Sequence, residues 1–193
     1  MKLFSILCLV SNFFSKPNIH NSKPIILLEV DGVINMIGSN KKIWNDTKSI
    51  LIQSSSDLYN VIYSPSMVKS INKWNTIGEV RWLTSWNDYA NINLSPSIGL
   101  DKFKMGRTIE QYENNEEKLD SATRISKELD KDQLIIWIDD NMNLWKNQDK
   151  MIKFYNRPNT LLICPNHGLT PEHVKLVDTY LLDNNFWDKK IIY

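Results

Sequence analysis

The chain has 193 residues, with 23 basic and 22 acidic side chains, a formal net charge of +1 and 42% hydrophobic residues. That length suits one core, and the even charge balance excludes a chain devoted to nucleic acid while leaving room for a local basic patch. Two cysteines, Cys8 and Cys164, and three histidines, His20, His167 and His173, form no CxxC unit and no zinc-finger spacing, so neither a disulfide framework nor a structural zinc site is expected.

Residues 1–23 stand apart from the rest. Met1 to Ser15 holds one lysine followed by an apolar run too short to span a bilayer as a helix, with no clean small-x-small cleavage site. The segment reads as an extension packed on the domain or left mobile, with a signal peptide over residues 1–20 as the alternative. Two unpaired thiols favour the cytoplasm, whereas a signal peptide would mean secretion. No transmembrane segment is expected. Residues 24–193 read as one domain without internal repeat or Pro/Gly-rich linker.

Lys23-Pro24 leads into the run Ile25-Ile26-Leu27-Leu28-Glu29-Val30, which suits a strand buried on both faces and stops at the turn signal Asp31-Gly32. Residues 49–53 and 58–63 flank Ser54-Ser55-Ser56-Asp57 and predict a β-hairpin. Ser64-Pro65 opens a helix whose apolar face is Met67, Val68, Ile71 and Trp74 and which Gly78 ends. Glu79 to Thr84 is a second buried strand, followed by a helix over 87–94. An amphipathic helix is expected over 116–129. Leu134 to Ile138 is a strand ending at Asp139-Asp140, and Thr160 to Cys164 is another. Thr170 caps a last helix with Pro171 at its first position.

Strands alternating with helices predict an α/β fold: a three-layer α/β/α, Rossmann-like parallel sheet with a small hairpin flap and no room for a large cap domain. Ligands of such sheets bind beyond the carboxyl ends of the strands. Three strands end there in polar residues: Glu29-Val30-Asp31-Gly32, Thr84-Ser85 and Asp139-Asp140. Alone, Asp31-Gly32 is an ordinary turn, and Thr84-Ser85 or Asp139-Asp140 an ordinary helix cap. Together they predict one acidic pocket. Two like charges about 4 Å apart repel by on the order of 4 kcal/mol at an effective dielectric near 20. A hard divalent cation with oxygen ligands would offset that repulsion, and without a His/Cys set Mg²⁺ is expected rather than Zn²⁺. Mg²⁺ points in turn to phosphate chemistry.

At these residues the chain resembles the haloacid dehalogenase (HAD) superfamily. Leu27-Leu28-Glu29-Val30-Asp31-Gly32-Val33-Ile34-Asn35 is similar to its first motif, Trp82-Leu83-Thr84-Ser85-Trp86 to its second, and Ile136-Trp137-Ile138-Asp139-Asp140 to its fourth, in the same order, over roughly Pro24 to Leu182. Arg81 to Trp86 with Ala90-Asn91, and Pro158 to Leu162 with Gly168 to Val174, resemble a small bacterial branch related to HAD domains of RNA-repair proteins. The resemblance implies a Mg²⁺-dependent phosphohydrolase or phosphotransferase. Its first motif acid attacks phosphorus. Asp31 is the general acid and base, and its main-chain carbonyl helps hold the metal. Gly32, Thr84 and Ser85 bind the phosphoryl group. A lysine, for which Lys118 is the best candidate against Lys102 and Lys104, offsets negative charge. Glu29, Asp31, Asp139 and Asp140 surround Mg²⁺.

Glu29 stands where the family's nucleophilic Asp belongs. Its extra methylene moves the carboxylate by on the order of 1.5 Å, and about 1 Å of misplacement costs on the order of 10²-fold in rate. Attenuated turnover is therefore the expectation, with a catalytically inactive module that holds Mg²⁺ and a phosphorylated ligand as the alternative. A lightly covered site would admit a phosphoprotein or a nucleic-acid end as well as small metabolites. A structural or secreted interaction protein is a third reading, resting on the N-terminal apolar run and seven tryptophans.

Overall fold

The computed structural model describes residues 22–38, 43–106, 115–182 and 190–192. The expectations for residues 1–21, signal peptide included, lie outside the described residues. At the end of the segment 1–23 the Lys23 carbonyl accepts a hydrogen bond from Gln133 Nε2 at 2.6 Å.

The elements in chain order are β1 (Ile25–Leu28), β2 (Lys48–Ser54), β3 (Asp57–Tyr63), α1 (Pro65–Ile77), β4 (Glu79–Trp82), a π-helical turn (Ala90–Leu94), α2 (Ser95–Ile98) and β5 (Lys104–Met105). They continue with α3 (Asn115–Glu128), β6 (Ile135–Ile138), α4 (Met142–Trp145), α5 (Asp149–Tyr155), β7 (Thr160–Ile163), α6 (Pro171–Leu182) and β8 (Lys190–Ile192). Six strands form one sheet in the order β5-β4-β1-β6-β7-β8, and each neighbouring pair is parallel. From β1 the chain winds outward first through β4 and β5, then returns to β1's other side through β6, β7 and β8. The strand order therefore reverses at β1, and this switch point is where parallel α/β sheets open a crevice at the strands' carboxyl ends.

The all-apolar strands are explained by helices on both faces. Side chains alternate along a strand. Ile26 and Leu28 join Ile136, Ile138, Leu161 and Ile163 in a core with α1 and α6 on one face. Ile25 and Leu27 join Ile135, Trp137 and Leu162 in a second core, covered by α3, α4 and α5. This is a three-layer α/β/α arrangement. No described helix is long and apolar enough to cross a membrane.

Local sequence explains the helix ends. The Ser64 hydroxyl accepts from the Met67 amide at 3.2 Å, Pro65 takes the first turn, and the Gly78 amide closes α1 on the Trp74 carbonyl at 2.8 Å. The hairpin β2–β3 turns on Ser55 and Ser56, a tighter loop than the four residues expected, with Ser55 at φ 55°. The helix expected over 87–94 is corrected: a π-helical turn at Ala90–Leu94 runs on into α2, beyond Pro96, and Gly99 at φ +83° ends it. Pro96 sits in the first turn of α2, where its missing N–H costs nothing. Three strands stop one or two residues earlier than expected, at Leu28, Trp82 and Ile163.

Candidate active site

Register brings the strand tips together. Leu28 pairs with Trp82 on one side and with Ile138 on the other, so the next residues, Glu29, Leu83 and Asp139, stand at one level. The ladder continues one step past the strands: the Glu29 amide donates to Ile138 O at 3.1 Å and the Leu83 amide to Leu28 O at 2.9 Å. Strand alternation then decides direction. Glu29 follows Ile25 and Leu27, and Asp139 follows Ile135 and Trp137, onto the face that α3 covers.

α3 answers with a cation. Lys118, Ala122 and Ile125 share the stripe at i, i+4 and i+7, so Lys118 is the polar first step of an apolar face. Its side chain is 10% exposed, and its ammonium is ion-paired with Glu29 Oε2 and lies 2.9 Å from Asp139 Oδ2. Trp145 lies beside it, the ring centre 5.9 Å from Nζ. Of the three candidate lysines, Lys118 is the one at the acids. Lys104 pairs with Glu79 at 3.1 Å, and Lys102 is exposed.

Glu29 is fully enclosed. Beyond Lys118, its Oε1 accepts from Thr84 Oγ1 at 2.5 Å and from the Val30 amide at 2.7 Å. Burial raises its pKa, against the opposing pull of Lys118. Burial likewise raises that of Asp139, whose Oδ1 accepts from the Asn141 amide at 2.9 Å. Asp139 Oδ2 is buried and faces the Lys118 ammonium at 2.9 Å. Burial would lower the Lys118 pKa, but the Glu29 and Asp139 carboxylates outweigh it and raise it.

Asp140 sits closer to solvent, its pKa pushed up to about 6 by burial and by the charge of Glu29. Its carboxylate lies over Gly32, where a Cβ would meet Oδ2 at 2.3 Å; Gly32 also has φ +70°. The Gly32 amide is already donated to Asn35 O at 2.9 Å. Asp31 accepts from Asn35 Nδ2 and Trp86 Nε1, each at 2.8 Å. Asn35 also accepts from the Ile62 amide at 3.0 Å, which ties Asp31 to the hairpin. Thr84 is buried, and its hydroxyl accepts from the Trp86 amide at 3.2 Å while donating to Glu29. Ser85 beside it is exposed.

The sequence-predicted residues thus assemble at one end of the sheet, but in two groups. Glu29, Thr84, Lys118 and Asp139 form a closed cluster; Asp31, Gly32 and Asp140 form its more open margin. The acids' mutual repulsion is partly offset by Lys118 before any metal binds. Among the described residues no three His, Cys, Asp or Glu side chains are gathered closely enough to hold a metal as they stand. Asn35, Trp86 and Asn141 were not anticipated as partners of the acids. Asn35 and Trp86 lie within the motif segments, but their roles depend on contacts across the fold.

Comparison with protein-family models, curated proteins and solved structures returned no match to this chain.

Proposed function

We propose that the chain is a Mg²⁺-dependent, HAD-like phosphohydrolase or phosphotransferase acting on a phosphorylated substrate, with turnover attenuated by Glu29. The observation that carries the reading is the placement of Lys118 between Glu29 and Asp139 at the sheet's switch point. A buried lysine between two strand-tip carboxylates is costly to assemble for stability alone, because desolvation cancels much of its Coulombic gain. Perturbed, clustered ionisable groups at a ligand crevice favour a functional site.

The residues fit the metal. Glu29, Asp31, Asp139 and Asp140 bring four carboxyl groups to a site with one lysine, and the buried Asp139 Oδ2 has the Lys118 ammonium 2.9 Å away. Mg²⁺ retains waters and needs only one or two carboxylates, so the absence of a preformed triad among the described residues is compatible with it. Asp139 and Asp140 would hold it, with Glu29 and the Asp31 main-chain carbonyl beside them. Bound there, it would supply charge stabilisation to the phosphoryl oxygens.

The chain's own chemistry follows. A Glu29 carboxylate oxygen attacks phosphorus and the bond to the leaving oxygen breaks, giving an acyl phosphate. Asp31 delivers its proton to the departing oxygen. It then takes one from water, whose oxygen attacks phosphorus and returns Glu29 as carboxylate. Thr84 and Lys118 hold the transferring group's oxygens. The hairpin is read as a small flap in place of a large cap, leaving room for a phosphoprotein or nucleic-acid end. The test is hydrolysis of p-nitrophenyl phosphate with and without Mg²⁺. Metal-dependent turnover lost in Asp31→Asn supports the reading; turnover unchanged by that substitution or by metal removal overturns it.

A specific observation favours a second reading, an inactive module. The Glu29 carboxylate already occupies the Thr84 hydroxyl and the Lys118 ammonium. It stands where a phosphoryl group would need them. Phosphate-analogue binding with no turnover in any variant would select that reading.

A further inference from the structure

On the α3 face, away from the acidic cluster, α3 and α5 flank a groove of about 870 Å³ that shares no lining residue with that cluster. Its walls repeat one pattern. Arg124, Lys127 and Lys131 stand at i, i+3 and i+7 on and just beyond α3. Lys150, Lys153 and Arg157 stand at the same spacings on and just beyond α5. At about 1.5 Å of rise per helical residue, the two cations within each helix, Arg124 and Lys127 on α3 and Lys150 and Lys153 on α5, are separated by roughly 4.5 Å along the axis. Among the lining residues Asp120 is the one acid, and it pairs with Lys150 at 2.6 Å. The Arg157 guanidinium is engaged by the carbonyls of Gln133 and Asp130, at 2.7 and 2.5 Å. Arg124, Lys127, Lys131 and Lys153 are exposed. Leu129 and Pro158 supply an accessible apolar portion of the lining, with Phe154 buried behind them against Trp137.

In a chain whose net charge is only +1, the groove lining holds six cations against one acid, with Glu128, Asp130 and Asp132 outside it. We propose that the groove binds the phosphate backbone of a single-stranded nucleic acid. Two rows of cations suit a ligand that repeats its charge at every unit, which a lone phosphate does not. The apolar part of the lining suits base faces between the phosphates, contacts that tolerate any sequence. The proposal stands apart from the acidic site and does not require it to turn over.

The test is fluorescence anisotropy of a short fluorescein-labelled oligothymidylate with the full chain. Three or four phosphates neutralised predict an affinity falling about 20- to 50-fold as salt rises from about 50 to 200 mM. The triple variant Lys127→Glu, Lys131→Glu, Lys153→Glu, all surface positions, should bind about tenfold or more weakly with an unchanged melting temperature. Absence of salt-sensitive binding, or equal binding by the variant, overturns the proposal. So does displacement of the labelled strand by polyglutamate or by duplex as readily as by unlabelled strand.

Discussion

The Thr84 hydroxyl donates to Glu29 Oε1 at 2.5 Å, joining the tips of β4 and β1 through the longer of the two acidic side chains. Glutamate reaches this hydroxyl and Lys118 together, and so holds the donors that a phosphoryl group would need.

Glu29→Asp should retract the carboxylate and free both donors. The expected outcome is p-nitrophenyl phosphate turnover raised by about 10- to 100-fold in Mg²⁺. A fall in turnover would mean that Glu29 is a tuned nucleophile, and the attenuation argument would fail.

Lys118→Met leaves Glu29 and Asp139 buried without their cation. Breaking such a pair costs about 3–5 kcal/mol, read as a lowered denaturation midpoint at pH 7. The double variant Lys118→Met, Glu29→Gln removes one of the stranded charges and should recover part of that loss. Equal stability of the two variants would contradict the pairing.

Asp140 predicts an inverted pH dependence for the metal-free protein. Its pKa is raised, to about 6, so the folded chain binds more protons than the unfolded chain between the ordinary aspartate range and pH 6. Its contribution is fully present below that window and is lost as pH rises through about 6. Glu29 and Asp139, raised by burial, act in the same direction. His173 acts oppositely: burial lowers its pKa, so it costs stability as pH falls below its ordinary value near 6.5. Subtraction isolates Asp140. From pH 5 to 7 the native chain should lose about 1 kcal/mol relative to Asp140→Asn, after allowance for partial solvent screening. Identical pH profiles for the two would contradict it.

The fold was legible where local physics acts alone. The apolar runs of β1, β4, β6 and β7, the Ser64-Pro65 cap and the Thr170-Pro171 helix start needed only neighbouring residues. α4 and α5 escaped notice because Met142, Trp145, Met151 and Phe154 are scattered through a polar stretch, and they become a face only against Trp137. β5 and β8 have two and three residues and exist by pairing to an edge. Within the site, Lys118 left a trace as a lysine in line with Ala122 and Ile125. The Asn35 and Trp86 bonds to Asp31 left none, because they depend on how three separate segments meet. The basic rows of the groove share a spacing visible in the sequence, but the α5 row had meaning only once α5 was a helix.

Gly32 combines φ +70° with the Asp140 carboxylate pressed on its Cα. Gly32→Ala should cost about 1–3 kcal/mol in thermal denaturation, through backbone strain and displacement of Asp140. Unchanged stability would show that Asp140 is not held against this turn.

The most direct measurement is an anomalous difference map from a crystal soaked with Mn²⁺, as a stand-in for Mg²⁺, and vanadate. The account predicts a manganese peak beside the Asp139 carboxylate, with vanadate between it and Thr84. Ordered ions elsewhere, with none at the tips of β1, β4 and β6, would contradict it.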